Sequence, residues 1–175
     1  TQRGGKIRYK NLHSVTNSEG LQVVMNRNAE ITVLDDQELD RESFPVPYGA
    51  TLRINDGAIV DPGTVIADWD AFSIPIVAEV GGKVKYGDVH EGESMQERVD
   101  QITGKASKVI TPVSSTKQMN PRISIKDDRG RTLKLPDGEL SARYLLPVGS
   151  IITVSEHDII AAGTVIAKIP RETTK

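Results

Sequence analysis

The chain has 175 residues, a formal net charge of −2 and a pI near 5.9, a balance that argues against a dedicated nucleic-acid surface, which is ordinarily clearly basic. Cysteine is absent, which excludes disulfides, a thiolate zinc site and a thiol nucleophile and fits a cytoplasmic protein. No apolar run approaches the roughly 20 residues of a membrane helix, and no signal peptide opens the chain.

In chain order, the apolar residues fall at every second position in short runs: Ile7/Tyr9, Ile31/Val33, Leu52/Ile54, Ile74/Ile76, Val84/Tyr86, Ile123/Ile125, Leu133/Leu135 and Ile152/Val154. That period turns one face of a strand toward a core. Turn formers separate the runs, at Asn17–Gly20, Asp35–Glu38, Asn55–Gly57, Asp61–Gly63, Asp127–Gly130 and Pro136–Gly138. Short strands with such turns predict an all-β barrel or sandwich. The one helix candidate, Ser94–Ile102, carries Met95, Val99 and Ile102 as a stripe. The matching stretch near Asn17–Met25 reads as turn then strand, so a hairpin with its turn near Thr103–Gly104 is expected instead.

The chain is also written twice. Gly5–His13 (GKIRYKNLH) recurs as Gly82–His90 (GKVKYGDVH), Ile31–Asp36 (ITVLDD) as Ile123–Asp128 (ISIKDD), and Pro47–Ala67 as Pro147–Ala167 without a gap. Three collinear matches predict two β units, residues 1–71 and 72–175, each small enough that packing against its neighbour is expected. The second copy is longer, mostly within Gly92–Pro121 and Arg131–Arg143. The apolar segment Ile74–Val80 precedes the second copy and has no counterpart before the first, so the first unit is expected to be clipped and the chain to be part of a larger polypeptide.

Comparing the copies weighs the candidate sites. Asp56, Asp61, Asp68 and Asp70 could suggest a divalent-cation site, but Glu156, Ala161, Lys168 and Pro170 replace them in the second copy, as suits turn and surface acids. The Asp35/Asp36 and Asp127/Asp128 pairs read as hairpin turns, since Asp caps its own turn. His13 and His90 are kept in both copies, each at a strand end with no ligand at metal spacing, and a structural role is expected. His157 matches Gly57 on a variable turn. Trp69 matches Ile169 and is expected to be buried, or to lie at the interface between units. With aromatics at 4%, no stacking platform for single strands is present. The basic residues Arg3, Lys6, Arg8, Lys10, Arg171 and Lys175 read as solvated connections. Neither a nucleophile elbow nor a phosphate-cradling Gly loop occurs, because Gly81-Gly82-Lys83 opens a strand rather than a helix. No catalytic, cofactor-binding or metal residue is assigned.

Pro75–Gly92 (PIVAEVGGKVKYGDVHEG) has the strand rhythm of lipoyl and biotinyl carrier domains, but no lysine stands in a modification context. A carrier or β-barrel adaptor is the alternative reading. A wider set of motifs, Val46–Ala50 (VPYGA), Ala67–Asp70 (ADWD), Pro75–Gly82 (PIVAEVGG), Asp100–Gly104 (DQITG), Ala142–Gly149 (ARYLLPVG) and Ile166–Glu172 (IAKIPRE), resembles the lineage-specific insertion in the trigger loop of the bacterial RNA polymerase β′ subunit. The resemblance implies a tandem pair of sandwich–barrel hybrid motifs and a non-catalytic module of a nucleotidyltransferase that modulates trigger-loop movement in elongation, pausing and cleavage. It further implies that Mg²⁺ and Zn²⁺ are held elsewhere in the parent, with no cofactor in this stretch. The implied partners are the β and β′ subunits and secondary-channel factors, without tight nucleic-acid binding by the segment or a membrane. Residues that only one copy has, Glu93–Lys108, Arg131–Arg143 and Asp61/Asp68/Trp69/Asp70, are then the contact candidates.

Overall fold

The computed structural model describes residues 1–114, 116–136 and 138–171. Asp137 of the expected Pro136–Gly138 turn, Glu172 of the last quoted motif and the basic residue Lys175 lie outside the described residues. Among those described, the chain is all-β and contains no helix. It divides into two compact units, Thr1–Ala71 and Phe72–Lys175.

The first unit contains β1 (Gly5–Lys10), β2 (Ser14–Thr16), β3 (Gln22–Val24), β4 (Glu30–Leu34), β5 (Asp40–Pro45), β6 (Thr51–Leu52), β7 (Ile59–Val60) and β8 (Ala67–Asp68). They form two antiparallel sheets, ordered β5-β4-β1-β7 and β2-β3-β6-β8. The alternation read from the sequence sets the inward face: Ile7 opposes Val33 and Tyr9 opposes Ile31 across the β1–β4 ladder. Ile7, Ile31 and Val33 join Val24, Leu52 and Ile66 in one buried cluster. Burying each such side chain contributes about 1.5–3 kcal/mol, so this face holds the sheets in register.

The second unit contains β9 (Ser73–Val77), β10 (Gly82–Gly87), β11 (Met95–Val99), β12 (Ala106–Ile110), β13 (Arg122–Lys126), β14 (Arg143–Leu145), β15 (Ile151–Ile152), β16 (Ile159–Ile160) and β17 (Val165–Pro170). Its sheets run β14-β13-β10-β16 and β11-β12-β15-β17-β9. The order is that of the first unit with one strand added, β9, beside β17. A separate cluster with Val84, Ile110, Ile123, Ile125, Ile152 and Ile166 forms its core.

Identical local devices recur in both units. Gly57 N donates to Ile7 O at 2.7 Å and His157 N to Val84 O at 2.9 Å. The Tyr9 hydroxyl donates to Ile54 O and the Tyr86 hydroxyl to Val154 O, tying β1 and β10 to the chain that follows β6 and β15. Gly5 and Gly82 sit where a Cβ would lie 2.2 Å from Leu34 O and 2.6 Å from Lys126 O, respectively. Only glycine lets the two backbones approach so closely.

Three local expectations are corrected. Leu133 and Leu135 are flanked by the isolated bridges Lys126–Thr132 and Lys134–Ser141 rather than belonging to a strand, because the Pro136-containing turn ends the run after a few residues. Ile74 is 42% exposed and β9 buries Ser73 and Val77 instead, since Pro75 and a register shift in its ladder with β17 break strict alternation. Trp69 is 51% exposed rather than buried. Ser94–Ile102 holds a strand rather than a helix: β11 (Met95–Val99) pairs with β12 through a turn at Asp100–Lys105, with Gly104 at φ 69°.

Candidate functional site

The sequence candidates are dispersed by the fold. In the first unit, Asp56 Oδ1 accepts from Tyr9 N at 3.0 Å, the Asp61 carbonyl accepts from Thr64 Oγ1 at 2.8 Å, and Asp68 pairs with Arg53 at 2.5 Å. Each has a local structural task. Among the described residues, no group of three or more His, Asp or Glu side chains is placed to hold a metal ion.

The Asp–Asp pairs are turn devices, as their chemistry indicated. Asp35 Oδ1 accepts from Gln37 N at 2.8 Å and Leu39 N at 2.9 Å, and Asp127 Oδ1 accepts from Arg129 N and Arg131 N at 2.9 Å each. These backbone donors stabilise the ionised form, from Leu39 N above all for Asp35 and Arg131 N for Asp127, and hold both carboxyls below the usual range.

His13 and His90 share a backbone role. Met25 N donates to His13 O at 2.8 Å and Met95 N to His90 O at 3.1 Å. In the first unit Asn26 Oδ1 accepts from His13 N at 3.0 Å while Asn26 Nδ2 donates to Asn11 O. Ser94 Oγ does the same work in the second, accepting from His90 N at 2.9 Å and donating to Asp88 O at 2.6 Å. Asn11 and Asp88 take left-handed φ values of 55° and 53° in the same position. The equivalence of Asn26 and Ser94 is invisible in the sequence, because the two lie at different distances from their histidines.

Two concavities stand out among the described residues. In the second unit an open groove of about 750 Å³ is lined by Gly81, Gly82, Lys83, Lys85, Lys126, Asp127, Asp128, His157 and Ile159. The corresponding place in the first unit is occupied by Glu38, whose carboxylate meets Lys6 Nζ at 3.1 Å and Arg8 at 3.8 Å. Gly130 stands at that position in the second unit, so the basic side chains of β10 face an open groove. Lys126 Nζ donates to Thr132 Oγ1 at 2.7 Å, and Glu156 draws Lys85 and His157 to 3.8 and 3.5 Å. Nothing in this set joins a nucleophile to a base. The second concavity, about 390 Å³, lies in the first unit between Phe44, Pro45 and Val46 on one side and Thr64–Ala67 with Trp69 on the other. Sequence comparison placed Trp69 by its partner Ile169 and so missed this groove.

The three stretches singled out as contact candidates each carry exposed side chains, although Ser94, Met95 and Ala142 within them are buried. Val99 and Ile102 are 64% and 96% exposed on the β11–β12 hairpin, and Leu140 is 74% exposed within 131–143. Apolar side chains at a hairpin tip add nothing to a core and are better suited to contact than to catalysis.

Similarity to known proteins adds what the two β scaffolds do not show by themselves. No protein-family profile matches the chain. Over 171 residues, 98% of its length, it is 47% identical to the DNA-directed RNA polymerase subunit beta′ of Syntrophobacter fumaroxidans, and over 172 residues it is 51% identical to that of Desulfosudis oleivorans. The chain is homologous to a segment of the RNA polymerase β′ subunit. It spans 12% of the length of these relatives. The aligned region extends over both units.

Proposed function

We propose that this β′ segment is the insertion carried by the trigger loop and that it modulates that loop's movement during transcription, without catalytic residues of its own. The observation that carries the reading is the match of 98% of the chain to β′ subunits, supported by the motifs at Val46–Ala50, Pro75–Gly82 and Ala142–Gly149. The pair of β units fits tandem sandwich–barrel hybrid motifs, with the same strand order in each. A folded module tethered to a loop moves when the loop folds. If it contacts neighbouring surfaces of the β or β′ subunit differently in the two states, it shifts their ratio. A bias of about 1.4 kcal/mol changes that ratio tenfold, enough to alter elongation, pausing or transcript cleavage. Secondary-channel factors would be further partners, and the setting would be cytoplasmic. The polymerase's Mg²⁺ and Zn²⁺ would be held by other parts of the parent; a thiolate zinc site here would need cysteine, which this chain lacks.

The test replaces residues 1–175 in the assembled polymerase by a short linker. Pause lifetimes and nucleotide-addition rates are expected to change several-fold, and unchanged values for both would refute the modulating role. The isolated chain is expected to show no polymerisation and no tight DNA binding in a filter or anisotropy assay; submicromolar DNA affinity at physiological salt would contradict this reading.

A further inference from the structure

The two units differ most at one sheet edge. In the second, β17 is covered by β9 along the register Val165↔Val77, Ala167↔Ile76, Lys168↔Pro75, Ile169↔Ile74 and Pro170↔Ser73. In the first, β8 ends its sheet and no strand lies beyond it among the described residues. Three observations show that this edge is shaped for a strand.

First, the opening step of the missing ladder already exists. Gly163 N donates to Ala78 O at 2.7 Å and Ala78 N to Thr164 O at 2.9 Å; at the matching positions Gly63 N donates to Thr1 O at 2.9 Å and Thr1 N to Thr64 O at 3.4 Å. Second, exposure rises at each apolar position that β9 covers in the other unit. Val65 and Trp69 are exposed where Val165 and Ile169 are half-buried, and Ala67 is half-buried where Ala167 is buried. Third, the side chains border a cavity of about 390 Å³ walled by Phe44, Val46, Val65 and Trp69. β8 itself is only 2 residues long, against 6 for β17.

We infer that the five residues directly preceding Thr1 in the full-length β′ subunit form an antiparallel strand on β8 and fill this groove. The offset that pairs Gly5 with Gly82 pairs Thr1 with Ala78, so the 5-residue β9 corresponds to the stretch just upstream. The β′ relatives, of which the chain spans 12%, supply polypeptide beyond it. A chain already paired at Thr1 adds the next ladder bonds with little further loop-closure cost, while each open edge left without a partner invites pairing with another chain. The inference rests on homology to β′ and on the strand order, and is independent of any effect on the trigger loop.

Hydrogen exchange over residues 64–70 tests it in three samples: the assembled polymerase, the 175-residue chain, and that chain extended by its five native preceding residues. The amides of residues 67–69 are expected to exchange at least tenfold more slowly in the polymerase and the extended chain than in the chain starting at Thr1. Equal exchange in the extended and Thr1-starting chains overturns the inference. Slow exchange confined to the polymerase would assign the edge to another polymerase surface, and protection in the Thr1-starting chain that grows with concentration would assign it to a second copy; either result also overturns it. A chain extended by five glycines separates sequence from length, with the native extension expected to protect and the glycines to do so much less. Equal protection by both would mean that the groove plays no part, and would overturn the proposed filling of it.

Discussion

Single positions show how far burial and close approach constrain this sequence. Gly5 has φ 146° and its missing Cβ would lie 2.2 Å from Leu34 O, so Gly5→Ala is expected to combine overpacking with backbone strain and to cost about 3 kcal/mol, read as a fall in the urea midpoint. Thr32 carries the opposite opportunity. Its hydroxyl is fully buried in β4 with no hydrogen-bond partner, and such a group is costly. Thr32→Val keeps the shape and is expected to gain about 1 kcal/mol; a lower unfolding temperature would show that the hydroxyl has a use. Tyr9 and Tyr86 have their pKa values raised to about 12, by burial first and then by Asp56 and Glu156, respectively. Because the folded value lies above the ordinary value near 10, the stability these phenols contribute is complete below pH 10 and is lost as pH rises toward 12. The absorbance that Tyr9→Phe and Tyr86→Phe remove from the titration should therefore appear near pH 12, together with weakening of the fold; its appearance near pH 10 would contradict the burial of the two rings.

Elements were legible wherever one physical cause acted alone. The alternation at Ile7/Tyr9 and Ile31/Val33 specified β1 and β4 because one face is buried, and Gly104 marked the β11–β12 turn because a left-handed residue is needed there. Burial that depends on a distant strand leaves no local mark in the sequence. Ile169 is sheltered by β9 and Trp69 has no such cover, a difference set by pairing partners rather than by either residue. Similarly, the groove on β10 reflects Gly130 in place of Glu38, and its effect is felt by lysines more than 40 positions earlier in the chain. The turn carboxylates are a test at this scale. Asp35 and Asp127 have depressed pKa values, so their contribution is present above the ordinary value of about 3.9 and is lost as pH falls through the lower folded values. Asp127→Ala should lower the unfolding temperature at pH 7 and flatten its decline below pH 4, whereas an unchanged decline would remove the turn from the acid response.

At the scale of the molecule, the all-β class followed from the two-residue period and the turn spacing, while the candidate surfaces followed from asking which residues only one copy has. What comparison of the copies left out was geometry: it assigned Asn26 and Ser94 no common role and expected Trp69 to be buried or at the interface between units, whereas it is half exposed. The two cores also give the chain a built-in optical asymmetry. Its single tryptophan lies in the first unit, so indole emission follows the unfolding of that unit alone, whereas the backbone circular dichroism of strands follows both. Denaturation curves from the two signals will superimpose only if the units melt as one. Any separation between them measures, without labels, how much stability each half of the chain keeps to itself.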